Sequence, residues 1–185
     1  MIYIIMGVSG CGKSTLGAFL SEKLGWPLHE GDDFHPQGNI EKMARGEPLT
    51  DQDRLPWLLK LHEVIERVRC SGSDALVVCS ALKRLYRQIL LYGSKALPSH
   101  QDILPPTCPD VFFLFLHGDY DLIQQRMVAR KGHYMKADLL RSQFDVLEPP
   151  SDEENVLPLD IRWSITDMST EVEKHIVSLR SSPTP

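Results

Sequence analysis

Residues 7–14 read Gly-Val-Ser-Gly-Cys-Gly-Lys-Ser. They fill every fixed position of the spacing G-x-x-x-x-G-K-[ST], a pattern whose chemistry is the holding of phosphate. The glycines let backbone close around phosphate oxygens. Successive N–H groups and a helix N-terminus then turn partial positive charge on the anion. Lys13 has the reach for β- and γ-phosphates, and the Ser14 hydroxyl suits Mg²⁺. The candidate nucleotide cradle is Gly7, Val8, Ser9, Gly10, Cys11, Gly12, Lys13, Ser14 and Thr15. Lys13 is its catalytic cation and Ser14 its metal-facing hydroxyl.

A phosphate loop does not say where the phosphate goes. The GTPase signatures D-x-x-G and N-K-x-D are absent; the only asparagines are Asn39 and Asn155. A compact kinase for a small metabolite fits the length, and such an enzyme needs an acceptor site facing the loop. Glu30-Gly-Asp-Asp-Phe-His-Pro36 offers one. A carboxylate there can take the acceptor hydroxyl's proton. Asp32 is the first choice and Asp33 the second, with His35 either a substrate contact or a packing residue. Arg54 and Lys83 are cations placed to grip an anionic acceptor. Arg126 and Arg130 are four apart and share a helix face. With Lys131-Gly-His-Tyr134 as a hinge, they read as a lid over ATP, at about residues 126–138.

These residues need rigid elements behind them. Ile2–Met6 is short, β-branched and unbroken, as for a strand buried on both faces. Leu16, Phe19, Leu20 and Leu24 follow at helical spacing, and Gly25 stops them. Short strands are predicted at 27–30, 75–79, 111–116 and 157–161, the last demoted to an edge by Pro158. Helices fall between them at 39–45, from Pro56 to about Gly72, at 84–92, from Asp119 to about 130, and around Leu140, Phe144 and Leu147. A last helix starts at a Thr170–Glu173 capping box. Strands alternating with helices predict an α/β, doubly wound, mostly parallel sheet with helices on both faces. In such a sheet ligands sit beyond the carboxyl ends of the strands, which brings Asp32 and Lys83 towards the phosphate loop.

The chain has 185 residues, 42% of them apolar. That predicts one domain over 1–180, with a surface insertion at about 93–109 and a tail at 181–185. The formal net charge is −5, which argues against nucleic-acid backbone binding. Cys11, Cys70, Cys79 and Cys108 have no C-x-x-C spacing, so neither a zinc site nor a disulfide framework is expected. Cys70 and Cys79 read as small buried hydrophobes. No apolar run is long enough for a membrane span or a signal core, so a soluble, cytoplasmic chain without membrane partners is expected.

The ordered set of motifs resembles the gluconate kinase family of small P-loop metabolite kinases, a group that includes shikimate kinase. The matching stretches run from Met6–Ser14 through Gly31–Pro36, Asn39–Met43, Gly46–Arg54 and Pro56-Trp57. They continue with Cys79–Lys83, Tyr86-Arg87, Arg130–His133, Gln143-Phe144 and Leu147-Glu148. The resemblance implies a P-loop kinase fold with a mobile lid and ATP-dependent phosphorylation of D-gluconate at its 6-hydroxyl. It also implies a Mg²⁺ requirement and often a homodimer. By position, Asp32 would orient or deprotonate the hydroxyl. Arg54 and Lys83 would be substrate contacts, and Arg126 and Arg130 lid residues, with Arg130 catalytic; Asp33, His35 and His133 are the further candidate substrate contacts. Cys11 stands where that family more often has Ser, and a thiol there invites oxidation. The other readings to weigh are a kinase of another anionic metabolite such as shikimate, and an inactive nucleotide-binding interaction protein.

Overall fold

The computed structural model describes residues 1–99, 103–129 and 137–181. Five strands form one wholly parallel sheet in the order β2-β3-β1-β4-β5. They are β1 (Ile2–Met6), β2 (Leu28–Glu30), β3 (Ala75–Val78), β4 (Val111–His117) and β5 (Val156–Asp160). The helices are α1 (Lys13–Leu24), α2 (Gln37–Ala44), α3 (Asp51–Ser71), α4 (Arg84–Tyr92), α5 (Tyr120–Ala129), α6 (Ala137–Val146) and α7 (Ile165–Ser181).

β1 lies at the centre with both faces covered, which is why Ile2–Met6 shows no polar alternation. Its side chains divide between two cores. Tyr3 and Ile5 pack with Leu16 and Leu20 of α1, Ile123 and Met127 of α5, and Val172 and Ile176 of α7. Ile2, Ile4 and Met6 pack on the opposite face with Leu58, Leu61 and Ile65 of α3 and Ile89 and Leu90 of α4. The period-2 strand geometry makes this split, and helices on both faces follow from it. Pro158 does sit in the edge strand.

Three local expectations are corrected. Pro56 does not open α3; the helix starts five residues earlier, at Asp51. Thr50 accepts from the Asp53 N–H at 3.1 Å, and the Asp53 carboxylate takes the Thr50 N–H at 2.8 Å. That reciprocal cap outweighs the single intrahelical bond Pro56 removes. The last helix starts not at Thr170 but at Ile165, where the Ser164 hydroxyl takes the Asp167 N–H at 3.0 Å. Thr170 instead donates to the Thr166 carbonyl inside the helix. Cys70 is exposed, on the outer side of α3, whereas Cys79 is buried as expected.

In the 93–109 stretch, Gly93–Ala96 forms a 3-10 turn. Tyr92 Oη donates to the Thr107 carbonyl at 3.1 Å, and Asn155 Nδ2 donates to the Cys108 carbonyl at 2.8 Å. Cys108 is buried there, so this edge is tied to the second core.

Candidate active site

All five strands run the same way, so the loops after β1, β2 and β3 leave one edge of the sheet together. Between them lies a cleft of about 240 Å³. Ser9, Gly10, Gly12, Lys13, Ser14 and Thr15 line one side, and Asp32, His35, Arg54 and Trp57 line the other. Ser80 and Gln143 complete the wall.

The phosphate loop holds its shape by internal bonds. Lys13 Nζ donates to the carbonyls of Gly7 and Val8 at 2.9 and 3.0 Å, which places the ammonium across the loop mouth. Gly7 N–H donates to the Ser80 carbonyl after β3 at 3.2 Å. Gly10 has φ +80°, and a Cβ there would press into the Met127 side chain of α5. Val8 and Cys11 point into the core and offer the cleft only backbone. The Cys11 thiol is pushed up by burial, against the opposing pull of Lys13 and Arg126. Buried and held as a thiol, it is shielded from the oxidation its position invites, because the thiolate is the reactive form.

The acceptor side hangs from Gly31. A Cβ at Gly31 would collide with the Val78 carbonyl oxygen, so only glycine lets this turn lie on β3. The 3-10 turn Gly31–Phe34 then presents Asp32, whose side chain is exposed in the cleft. Asp33 is exposed in the same turn and lies outside the cleft lining. Trp57 of α3 donates Nε1–H to the Gly31 carbonyl at 2.7 Å, and the His35 ring stacks on its indole, centroids 4.0 Å apart.

Arg54 lines the cleft and is braced from behind. Its Nη1 donates to the Leu49 carbonyl at 2.8 Å and to Tyr86 Oη at 3.2 Å. Tyr86 donates in turn to Asp51, and Lys83 donates to the same carboxylate at 2.9 Å. The Tyr86 bond, then the Lys83 bond, hold Asp51 below the usual carboxylate range; the Asp51 bond raises Lys83. Lys83 is therefore ion-paired beside the cleft rather than projecting into it. Ser14 Oγ donates to Glu30 Oε2 at 3.1 Å, at the end of β2.

Arg126 reaches a second cavity of about 390 Å³ on the far side of the loop. Cys11, Gly12, Thr15, Trp163, Ile165 and Met168 also line it. The Arg126 Nη2 donates to the Ile161 carbonyl at 2.9 Å. Arg130 and His133 lie outside the described residues.

Sequence reasoning alone missed Gln143. Its amide spans Ser9, accepting from the Ser9 N–H at 2.7 Å and donating to Ser9 Oγ at 3.1 Å. Its sequence signal was its place in the Gln143-Phe144 stretch of the resemblance, which carried no role for the side chain. The buried pair Arg87–Glu154, 2.7 Å apart, was also unread. Arg87 also donates to the carbonyls of Ala81 and Glu148, at 2.8 and 3.0 Å. Ala81, at φ 46°, is held in a left-handed conformation in the loop after β3. Such strain clusters where surrounding structure over-determines it, often at functional sites.

A parallel sheet in this order, with a phosphate loop after its central strand and a carboxylate turn after β2, is that of a P-loop kinase. The crystal structure of a sugar kinase from Janibacter superposes with a TM-score of 0.81 at 37% identity, covering 95% of this chain and 94% of that one. The chain is 44% identical over 177 residues to a probable gluconokinase of Xenopus tropicalis, covering 95% of this chain and 93% of that protein. A gluconokinase from Sinorhizobium meliloti superposes with a TM-score of 0.76 at 34% identity, over 97% of each chain. No family model matches the chain. On these full-length likenesses, the chain belongs to the gluconokinase family.

Proposed function

We propose that this chain transfers the γ-phosphoryl group of ATP to the 6-hydroxyl of D-gluconate, giving 6-phospho-D-gluconate and ADP. The observation that carries the reading is one cleft holding both halves of the reaction. Lys13 and Ser14 face Asp32 and Arg54 across it, in a chain alike over its whole length to gluconokinases.

Phosphates of ATP lie along the loop amides and Lys13, and the nucleoside extends towards the Arg126–Trp163 cavity. The gluconate 6-hydroxyl stands at Asp32. Its oxygen forms a bond to the γ-phosphorus as the bond from that phosphorus to the bridging oxygen breaks, and its proton passes to Asp32. Such transfers are loose, so positioning and charge stabilisation carry most of the rate. Arg54 holds the substrate carboxylate at the other end. Asp33 stands by as the alternative carboxylate, and Lys83 becomes a substrate contact on parting from Asp51. Arg126 and Arg130 act on the ATP phosphates as lid residues, and His133 is a substrate contact.

The family implies Mg²⁺. Ser14 and Glu30 supply hard oxygen donors, which suit that ion. Among the described residues no group of three or more His, Cys, Asp or Glu could hold a metal alone. That fits an ion held mainly by nucleotide phosphates, with Ser14 and Glu30 beside it. When bound, it neutralises charge on the β- and γ-oxygens.

The test is ADP release from ATP with gluconate, shikimate, AMP or no acceptor. Saturable release with gluconate is expected. Release with shikimate or AMP but not gluconate would overturn the reading. Lys13→Met should abolish turnover in a folded protein, and near-normal kcat in that variant would remove the nucleotide assignment.

A further inference from the structure

Asn39 is buried in α2, with 6% of its surface exposed, and its amide nitrogen meets two polar atoms. Nδ2 donates to the Asp53 carbonyl at 2.8 Å and lies 3.2 Å from His35 Nδ1. A backbone carbonyl only accepts, so the atom facing it must be the amide nitrogen. The same nitrogen's second hydrogen then points at Nδ1, which must accept. The proton of the imidazole is thereby left on Nε2.

That Nε2–H faces the cleft. The His35 ring has 4% side-chain exposure and is clamped on Trp57, which is itself pinned to Gly31. Nε2 is 3.9 Å from Asp32 Oδ1, too long for a hydrogen bond. A hydroxyl oxygen set to one side of that gap is within hydrogen-bond reach of both, accepting from Nε2–H and donating to Asp32. Its remaining lone pair is then free for phosphorus.

We propose that Asn39 is a positioning residue that fixes His35 as the Nε2–H tautomer. His35, with Asp32, orients the acceptor hydroxyl for in-line attack. Burial, aided by the Arg54 charge, lowers the His35 pKa against the opposing pull of Asp32, which agrees with a neutral ring. The catalytic part rests on the gluconate kinase reading; the tautomer does not.

Nitrogen-15 spectra of the histidine rings in the intact enzyme at pH 7, with His35→Gln supplying the assignment, test the tautomer directly. The expected pattern is a bare Nδ1 and a protonated Nε2. A protonated Nδ1, or a doubly protonated ring, overturns the proposal. Asn39→Ala should release a mixture of tautomers, and an unchanged spectrum there removes Asn39 from the role.

For turnover, His35→Leu should lower kcat with gluconate by roughly tenfold to a hundredfold and leave the KM for ATP unchanged. His35→Gln keeps a donor near Nε2 and should recover most of that loss. Equal loss in the two variants overturns the donor role. The spectra need no substrate, so a failure of the gluconate reading shows in the acceptor panel and not in them.

Discussion

Arg54 is tied by the Leu49 carbonyl and Tyr86, and its guanidinium carbon stands 5.5 Å from the Tyr86 ring centre. Both ties come from Nη1, so among the described residues the other nitrogen donors of the fork are open to a carboxylate. A hydrogen bond to a charged group contributes about 1.5–3 kcal/mol. Arg54→Ala should therefore raise the KM for gluconate roughly 10–150-fold and leave that for ATP nearly unchanged. It should also narrow the gap between gluconate and the uncharged polyol sorbitol. Equal losses on both acceptors would mean that Arg54 serves the fold. Asp32→Asn keeps the shape of the carboxylate and loses its basicity, so kcat should fall by about 10²–10⁴-fold with ATP still bound. If only Asp33→Asn is crippled, the base is Asp33.

Elements aim these side chains, and their joints are polar. The Thr50–Asp53 cap, strengthened by Lys42 donating to Asp53 at 2.7 Å, fixes where α3 starts and so where Arg54 and Trp57 point. The Arg87–Glu154 pair locks the loop after β3 to the 148–154 segment. Breaking one partner of such a buried pair strands the other charge, at a cost of about 3–5 kcal/mol. Urea unfolding of Arg87→Met should show a loss of that size. Arg87→Met with Glu154→Leu should regain part of it. A double variant no better than the single would show that the carbonyl contacts at Ala81 and Glu148, and not the stranded charge, set the cost.

Across the whole molecule the two cores carry stability, and a polar contact at the edge of the first adds a pH dependence. Tyr3 Oη lies 2.6 Å from His175 Nδ1, between β1 and α7. The phenol and the ring nitrogen share one hydrogen bond, and burial lowers the imidazole pKa below the ordinary 6.5. Burial also raises the phenol. The unfolded chain thus binds a proton at His175 that the folded chain refuses. Stability should be full above about pH 6.5 and fall as pH drops below it. His175→Gln keeps an acceptor without a titration. The urea midpoint of that variant should depend less on pH between about 5 and 6.5 than that of the wild type. Parallel curves would sink the assignment.

At that same scale, the fold was legible because its signals are local. Ile2–Met6 without alternation, helical spacing from Leu16 to Leu24, and loop glycines all report backbone geometry that neighbours in sequence impose. The phosphate loop was legible for the same reason, since it is one contiguous segment. Asp32 and Lys83 could be nominated because a parallel sheet sends its loops to one edge, and Arg54 because it is a cation near a helix start. Pro56 misled, because its local signal for a helix start was weaker than the reciprocal cap at Thr50, six residues earlier. What only the tertiary structure decided are the pairings across many residues. It turned Asp32 and not Asp33 into the cleft and tied Lys83 to Asp51. It put Gln143 on Ser9 and set Asn39 against both Asp53 and His35. These are directional contacts between segments far apart in the chain. Their partners are fixed by distances of a few ångströms that no residue spacing encodes.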